Sequence, residues 1–487
     1  MKSAGIIGAG VGGLTAALIL SSKGFKVKVF EKNSRPGGKL SEFRKNGYRF
    51  DTGPTLLTMP FVFDMIFDEC GMKRDDFFQY SKIDRGVRNF FPDGMILNTY
   101  STAGRTLREI AEKIPSEKDN FKRYLKYSKG IYDKTAWLFL FQPFHELKRL
   151  LFKQKKIPNP IVFLMIDAFR TMHKANSSFF KDKRLISMMD RFATYNGSDP
   201  YRAPATLNII PYVEYVLGAY YPDGGLYRII EGLEKAAAAM GTEFHYDSDV
   251  QGILTKNNKA KGLKVNREKL EFDYIISNAD VSYTFEKLLG INRKTNDEPS
   301  LSGMVYLWGI NRKLEELAHH NVFFPENYKQ EFIDIFDEKR VPSDPAVYVS
   351  VSARTEAEDV PAGKDNLFIL VNMPNTDSGY PDNVEDIIRD KIFQRIIKHG
   401  FDITSAIEFE EVISPFDLEG SLNAYKGSIY GGSSNNMSAA FRRQANRCRE
   451  ISNLYFAGGS AHPGGGIPLT ALSGKHCADL IIEDKNK

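Results

Sequence analysis

A chain of 487 residues is long enough for two or three domains and a large core. Its 42% hydrophobic and 26% charged content is that of an ordinary globular protein, and a net charge of +5 falls well short of a nucleic-acid footprint. Three cysteines (Cys70, Cys448, Cys477) without metal or redox spacing exclude a disulfide framework and point to a reducing compartment.

The first elements follow a strict order. Residues 5–7 form a short apolar strand that runs into Gly8-x-Gly10-x-x-Gly13. Residues 14–22 read as an Ala/Leu-rich helix closed by Gly24, and 26–30 alternate as a strand with Glu31 at its end. Strand, glycine turn, helix, strand and acid is the order of a dinucleotide-binding unit. Gly8 permits the tight turn, Gly10 leaves room for backbone to approach a pyrophosphate, and Gly13 lets the helix pack close to the sheet. The helix N-terminus offers unpaired N–H groups to phosphate. Glu31, 18 positions after Gly13, is placed to accept from ribose hydroxyls. The stretch has the outline of a signal peptide, but glycines at fixed offsets and the strand that follows argue against one.

Gly37 and Gly38 come next, between Arg35 and Lys39. This segment reads either as a loop reaching back to a diphosphate or as an ordinary Pro-Gly turn. Residues 50–55 end a strand in another backbone-rich turn, Thr52-Gly53-Pro54-Thr55. Two more glycine turns so soon after Glu31 favour a cofactor longer than one mononucleotide.

Together, the Gly8–Gly13 turn, Glu31, Gly37 to Lys39 and Asp51 to Thr55 resemble the opening of the flavin-dependent amine oxidase and carotenoid desaturase superfamily. The resemblance implies FAD. Glu31, with Lys32 beside it, would lie at the ribose, and Gly38 and Lys39 along the diphosphate. Gly53, Pro54, Thr55 and Leu56 would approach the flavin.

Residues 106–132 read as one helix, 137–141 as a very apolar patch interrupted by Pro143, 147–156 as basic and amphipathic, and 161–169 as apolar again. No apolar run reaches the roughly 18–20 residues of a membrane span. The region reads either as an interfacial membrane contact, which the resemblance favours, or as a helical cap with a solvated basic face. An aromatic content of 12% fits a large apolar cavity or an interfacial surface as well as a well-filled core.

Residues 226–240 read as a helix, and 243–246, 250–255, 260–265 and 272–280 as strands. The resemblance implies that Val250 meets adenine through its backbone and that Asn278 and Ala279 close the adenosine side. Residues 303–310, 346–352, 366–372 and 407–413 alternate as strands of a mixed or antiparallel sheet, with a helix over 384–398. This part shows no metal-ligand cluster and no nucleophile triad, and His319-His320 reads as a solvated loop.

The C-terminal segment is a second glycine-rich helix entry. A strand over 453–460 opens into Gly458-Gly459, His462 to Pro468 follow, and 469–482 are helical. Such an entry aims N–H donors and a dipole at an electron-rich group. His462 to Pro468 resemble the C-terminal signature of bacterial phytoene-desaturase-type carotenoid desaturases, most closely the 1-hydroxycarotenoid 3,4-desaturase branch. The contacts implied are Gly458, Gly459, Gly466, Ile467 and Pro468, with FAD held non-covalently because no cysteine lies in that run.

The expectation is therefore an α/β protein. A Rossmann-like FAD-binding domain of the glutathione-reductase/amine-oxidase type would comprise 1–84, 221–295 and 445–487. An inserted mixed-sheet substrate domain would comprise 85–220 and 296–444, with a helical cap over about 120–175. The resemblance implies a desaturase that introduces a C=C bond into a long polyene by hydride transfer to flavin, with a 1-hydroxylated carotenoid 3,4-desaturated. Phytoene desaturation and carotenoid isomerisation or saturation are the alternatives. A flavin amine oxidase or a lipid carrier such as a GDP-dissociation inhibitor is more distant. The partners expected are a hydrophobic carotenoid, a membrane surface, and oxygen or a quinone as electron acceptor, with no nucleic acid and no metal. The location expected is cytoplasmic, at the inner face of the membrane. No residue stands out as a catalytic base; His462 reads as a turn residue bonded to backbone.

Overall fold

The computed structural model describes residues 1–146, 166–292, 298–436 and 442–486. The basic stretch 147–156 and the first part of the apolar stretch 161–169 lie outside them. The chain opens with β1 (Ser3–Ile7), α1 (Val11–Ser22) and β2 (Lys26–Phe30). It then leaves for β3 (Arg85–Phe90), β4 (Ile96–Tyr100), α2 (Ala103–Lys113) and α3 (Lys118–Phe139). It returns through α4 (Arg228–Ala239), β5 (Glu243–His245) and β6 (Tyr274–Ser277). A second excursion carries β7 (Ser302–Ile310), β8 (His320–Phe323), β9 (Val347–Ser350), β10 (Asp365–Met373), α5 (Val384–Ile397) and β11 (Ile407–Ile413). The chain ends with β12 (Leu454–Phe456) and α6 (Ile467–Lys485).

Three separate passes build one parallel sheet in the order β5-β2-β1-β6-β12. Both faces are covered at its centre, so β1, β6 and β12 are short buried runs, whereas β2 alternates Lys and Val and the edge strand β5 carries Glu243 and His245. Ile6, Val29 and Ile276 lie side by side under the helical layer. Ile7, Phe30, Ile275 and Leu454 face the opposite way, toward the three-stranded meander over 250–271. Gly5 is needed for that closure, because a Cβ there would stand 2.7 Å from the Phe272 ring. The first helix is buried nearly all round, from Val11 to Ser21, which suits its lack of charged residues. It begins at Val11 rather than at 14, so the glycine turn is itself the helix entry.

The second sheet has seven strands in the order β11-β7-β10-β9-β8-β3-β4. Only β8 and β3 pair in parallel, so the sheet is mixed. Chain from before and after the central return therefore meets in one sheet. Helices α2 and α3 and the helical turns over 172–217 pack on it through Ile110, Phe121, Tyr124, Met188 and Phe192.

Two expectations are corrected. The helix over 106–132 is two helices broken at Pro115, which lacks an N–H and bars the preceding residue from helical geometry; Ile114 sits at φ −138°, ψ 67°. His319 and His320 are not on a solvated loop, being 3% and 1% exposed. His320 begins β8, between β3 and β9, where the imidazole has a protein partner instead of water.

Candidate functional site

The glycine turn leaves β1 at Gly8, whose φ of +89° is strained for any side-chain-bearing residue. Gly13 is closed in by the carbonyl of Gly8, 2.3 Å from where a Cβ would stand. Gly10 has an ordinary φ of −78°, and what excludes a side chain there is Asn278. The Asn278 Oδ1 atom lies 2.7 Å from the Gly10 Cβ position and 3.0 Å from that of Gly13, and its Nδ2 atom 2.7 Å from that of Gly458. Asn278 is thus a wedge at the end of β6, between the N-terminal turn and the C-terminal one. Its Nδ2 donates to the Ala457 carbonyl and its backbone N–H to that of Ile7.

Glu31 at the end of β2 is 6% exposed. Its Oε2 accepts from the Ala9 N–H at 2.8 Å, and Oε1 from the Asn33 N–H and side-chain amide at 3.0 and 2.8 Å. A carboxylate offers about four acceptor positions, so Glu31 ties down the glycine turn and keeps capacity for a further donor. Lys32, beside it, has its pKa lowered by burial. The Lys39 ammonium does not extend freely. It donates to the carbonyls of Ser428 and Ile429 at 3.1 and 2.6 Å, and burial lowers its pKa against the pull of Asp280. Gly53 is packed under Lys39, with the Lys39 carbonyl 1.7 Å from a Cβ position. At the far end Gly466, at φ +102°, enters α6, and Pro468 occupies the first turn, where its missing N–H costs nothing.

A single cavity of about 1130 Å³ joins these parts. Gly8, Gly10, Glu31, Lys32, Gly38, Lys39, Gly53, Pro54, Thr55 and Leu56 line it. So do Val250, Asn278, Ala279, Gly458, Gly459, Gly466, Ile467 and Pro468. Gly13 alone among the expected residues is absent from the lining, in keeping with its role inside the helix–sheet contact. Beyond Leu56 the walls become apolar: Phe139 and Leu140 at the C-terminal end of α3, Ile209, Ile210 and Val213 from the helical turns over 172–217, and Val305, Phe368 and Leu370 from the second sheet. The volume exceeds the roughly 300–1,000 Å³ of a one-ligand pocket. A backbone-lined cradle with an acceptor at its end and an apolar extension fits a dinucleotide cofactor with a second, hydrophobic ligand beside it. Among the described residues no group of His, Cys, Asp and Glu is placed to hold a metal.

His462 also lines the cavity. Its Nε2–H donates to the Gln142 carbonyl and its backbone N–H to that of Gln444. Burial, with His145 and Arg443 nearby, lowers its pKa to about 3, so it is a neutral imidazole bonded to backbone.

Residue-by-residue reading missed a polar cluster where the cradle meets the apolar walls. Tyr348 of β9 shares hydrogen bonds with Thr55 Oγ1 at 2.6 Å and His320 Nδ1 at 2.7 Å. Arg191 faces the same space. Its Nη1 donates to the Tyr195 hydroxyl at 3.3 Å, its Nη2 lies 3.9 Å from Glu214 Oε1, and Tyr195 donates to Glu214 Oε2 at 2.6 Å. Burial works against the Arg191 charge, but Tyr195 and Glu214 outweigh it and raise its pKa. The sequence holds no local signal for this cluster, because its members come from five separate segments.

A family model described as flavin containing amine oxidoreductase matches residues 11–283. The chain is 37% identical to the 1-hydroxycarotenoid 3,4-desaturase of Flavobacterium sp. (strain P99-3), covering 99% of each chain. It is 34% identical to the 4,4'-diapolycopene oxygenase of Methylomonas sp, covering 98% of each. The solved structure of cyclohexylamine oxidase from Brevibacterium oxydans aligns over all of both chains, with a TM-score of 0.63 at 13% identity, which speaks to the fold alone.

Proposed function

Since the chain belongs to the flavin-containing amine oxidoreductase family, we propose that it is an FAD-dependent carotenoid desaturase acting on a 1-hydroxylated acyclic carotenoid at its 3,4 bond. The observation that carries this reading is the continuous cavity, with the Glu31 and glycine cradle at one end and apolar walls beyond Leu56. The full-length similarity to a 1-hydroxycarotenoid 3,4-desaturase supports the choice of substrate and bond. Residues 1–84, 221–295 and 445–487 are assigned to the cofactor domain, and 85–220 with 296–444 to the substrate domain.

Bound non-covalently in the cradle, the flavin supplies a hydride acceptor, and the rest of the catalysis is binding, orientation and exclusion of water. In this reading Glu31 takes the ribose hydroxyls, the backbone at Gly10 and Gly38 follows the diphosphate, and the entry at Gly466 faces the flavin ring. The walls hold the polyene in line. No helix among the described residues is long and apolar enough to cross a membrane. Exposed Trp137 and Phe169, flanking the mostly undescribed stretch between them, support a peripheral membrane contact through which a water-insoluble polyene enters. Oxygen or a membrane quinone is the electron acceptor proposed.

The test is expression in cells that accumulate either 1-hydroxylated acyclic carotenoids or phytoene, with products resolved by chromatography. The expected result is a yellow protein and one additional conjugated double bond on the hydroxylated substrate. Conversion of phytoene with no change to hydroxylated carotenoids would overturn the branch assignment, and an oxygenated product would favour the oxygenase relative instead.

A further inference from the structure

The cluster around Arg191 holds more hydrogen-bonding capacity than the protein uses. Arg191 Nε, His320 Nε2, Glu214 Oε1 and Tyr328 Oη are all buried, and none has a hydrogen-bond partner. Buried polar atoms are nearly always paired, and leaving one unpaired costs on the order of 1–3 kcal/mol. Three of them, on Arg191, His320 and Tyr328, belong to residues that line the cavity and mark a position built to meet a polar group. Arg191, His320, Tyr328 and Tyr348 all line the cavity, and Arg191 lies close enough to His320, Tyr328 and Tyr348 to act on each electrostatically.

We infer that Arg191, His320 and Tyr348 form a receptor for a neutral oxygen group, a hydroxyl, carried near one end of an otherwise apolar polyene. This rests on the desaturase reading above and adds the residues that select its substrate. Charge decides between a neutral and an anionic ligand. Arg191 is already balanced by Glu214, so the receptor has no net positive charge to offer a carboxylate or phosphate. Burial, with His319 and Arg191 adding to it, holds His320 neutral by pushing its pKa well below the ordinary value. A neutral imidazole has one donor and one acceptor nitrogen. Tyr348 occupies Nδ1, so Nε2 donates or accepts according to which way the Tyr348 hydroxyl points. A hydroxyl, which does both, completes either arrangement.

Position supports the same conclusion. Tyr348 is hydrogen-bonded to Thr55, in the turn where the cradle ends and the apolar walls begin. In a 1-hydroxy carotenoid desaturated at the 3,4 bond, the oxygen-bearing carbon lies only two or three bonds of about 1.5 Å from the reacting carbons. Such a hydroxyl has to be recognised beside the cofactor, not at the remote end of a tunnel. The cluster sits at the required end.

The experiment compares binding of a 1-hydroxy acyclic carotenoid and its analogue lacking the hydroxyl, by spectral titration of the purified flavin-loaded protein in detergent, alongside their turnover. The native protein should favour the hydroxylated polyene at least about a hundredfold, because a site with groups aimed at a hydroxyl rejects the ligand without one. Arg191→Met and His320→Phe should each reduce that ratio about tenfold, through weaker binding of the hydroxylated polyene and with the analogue unaffected. Tyr348→Phe keeps the ring and its packing, so it carries the test if either of the others does not fold; flavin content and far-ultraviolet dichroism report this. Variants that keep the native ratio, or a native protein that binds and converts both polyenes equally, would overturn the receptor while leaving the desaturase reading intact. Failure to desaturate either polyene would overturn that reading and the receptor with it.

Discussion

At the scale of single residues, Asn278 changes the meaning of the glycine pattern. The spacing Gly8-x-Gly10-x-x-Gly13 is legible because backbone chemistry imposes it locally, and Glu31 is legible for the same reason, at the end of the next strand. What no local pattern shows is that a residue more than 250 positions later fills the space beside Gly10. The glycine at position 10 therefore has two candidate reasons, room for a pyrophosphate and room for Asn278, and a paired substitution separates them. Gly10→Ala places a methyl group 2.7 Å from Asn278 Oδ1 without straining the backbone and should lower flavin affinity at least tenfold. If Asn278 is the obstacle, Asn278→Ala in the same chain should restore flavin binding to within a few-fold of Asn278→Ala alone. Flavin retained after gel filtration, read by absorbance, measures both. A double variant as poor as Gly10→Ala would assign the constraint to the cofactor instead.

At the scale of elements, helices and strands were legible wherever periodicity was strong and uninterrupted. The strands Lys26–Phe30 and Ile407–Ile413 have the expected bounds. The helix reading failed at Pro115, where amphipathic spacing on both sides hid a break that proline chemistry demands. A helix–helix crossing was also invisible. Gly12 of α1 and Gly474 of α6 pack backbone to backbone, with the Gly12 carbonyl 2.2 Å from a Gly474 Cβ position. Only glycine allows the first and last helices this approach, which fixes Gly458 over the N-terminal turn; a Cβ at Gly12 would stand 2.9 Å from the Gly458 nitrogen. Because the obstacle to Gly474→Ala is backbone, it cannot swing aside, and the variant should lose about 1–3 kcal/mol of stability from overpacking. Chemical denaturation measures this. A Gly474→Ala protein as stable as the parent would mean that the helices separate without cost.

At the scale of the whole molecule, the buried polar groups come together only when distant segments pack, so the sequence held no sign of them. His319 and His320 looked like a loop because adjacent histidines are polar in isolation; buried just before and at the start of β8, they are neutral and hydrogen-bonded to Thr355 and Tyr348. This has a consequence for acid stability. Burial, with Arg354 beside it, lowers the His319 pKa to about 3. Burial, with His145 and Arg443, takes His462 to about 3, and His320 shifts in the same direction. The unfolded chain protonates each imidazole near its ordinary value of 6.5 while the folded one does not, so their stabilisation is complete above about pH 6.5 and is lost as pH falls toward 3. By pH 4, His319 and His462 each withdraw about 3 kcal/mol, and His320 acts in the same direction. Buried carboxyl groups act oppositely, with Asp51, Asp190, Glu214 and Asp359 among those that burial raises. Burial raises Glu331 to about 7 and Asp199 to about 6, so the folded state gains from protonating them, returning about 3 and about 2 kcal/mol at pH 4. Imidazoles and carboxyl groups therefore oppose one another between pH 7 and pH 4, and the share of one imidazole is read by removing it. His462→Gln, which keeps a donor for the Gln142 carbonyl and cannot be protonated, should gain about 3 kcal/mol of stability relative to the native protein between pH 7 and pH 4. A variant that follows the native pH dependence would show that water or a shifted proton relieves the buried imidazole.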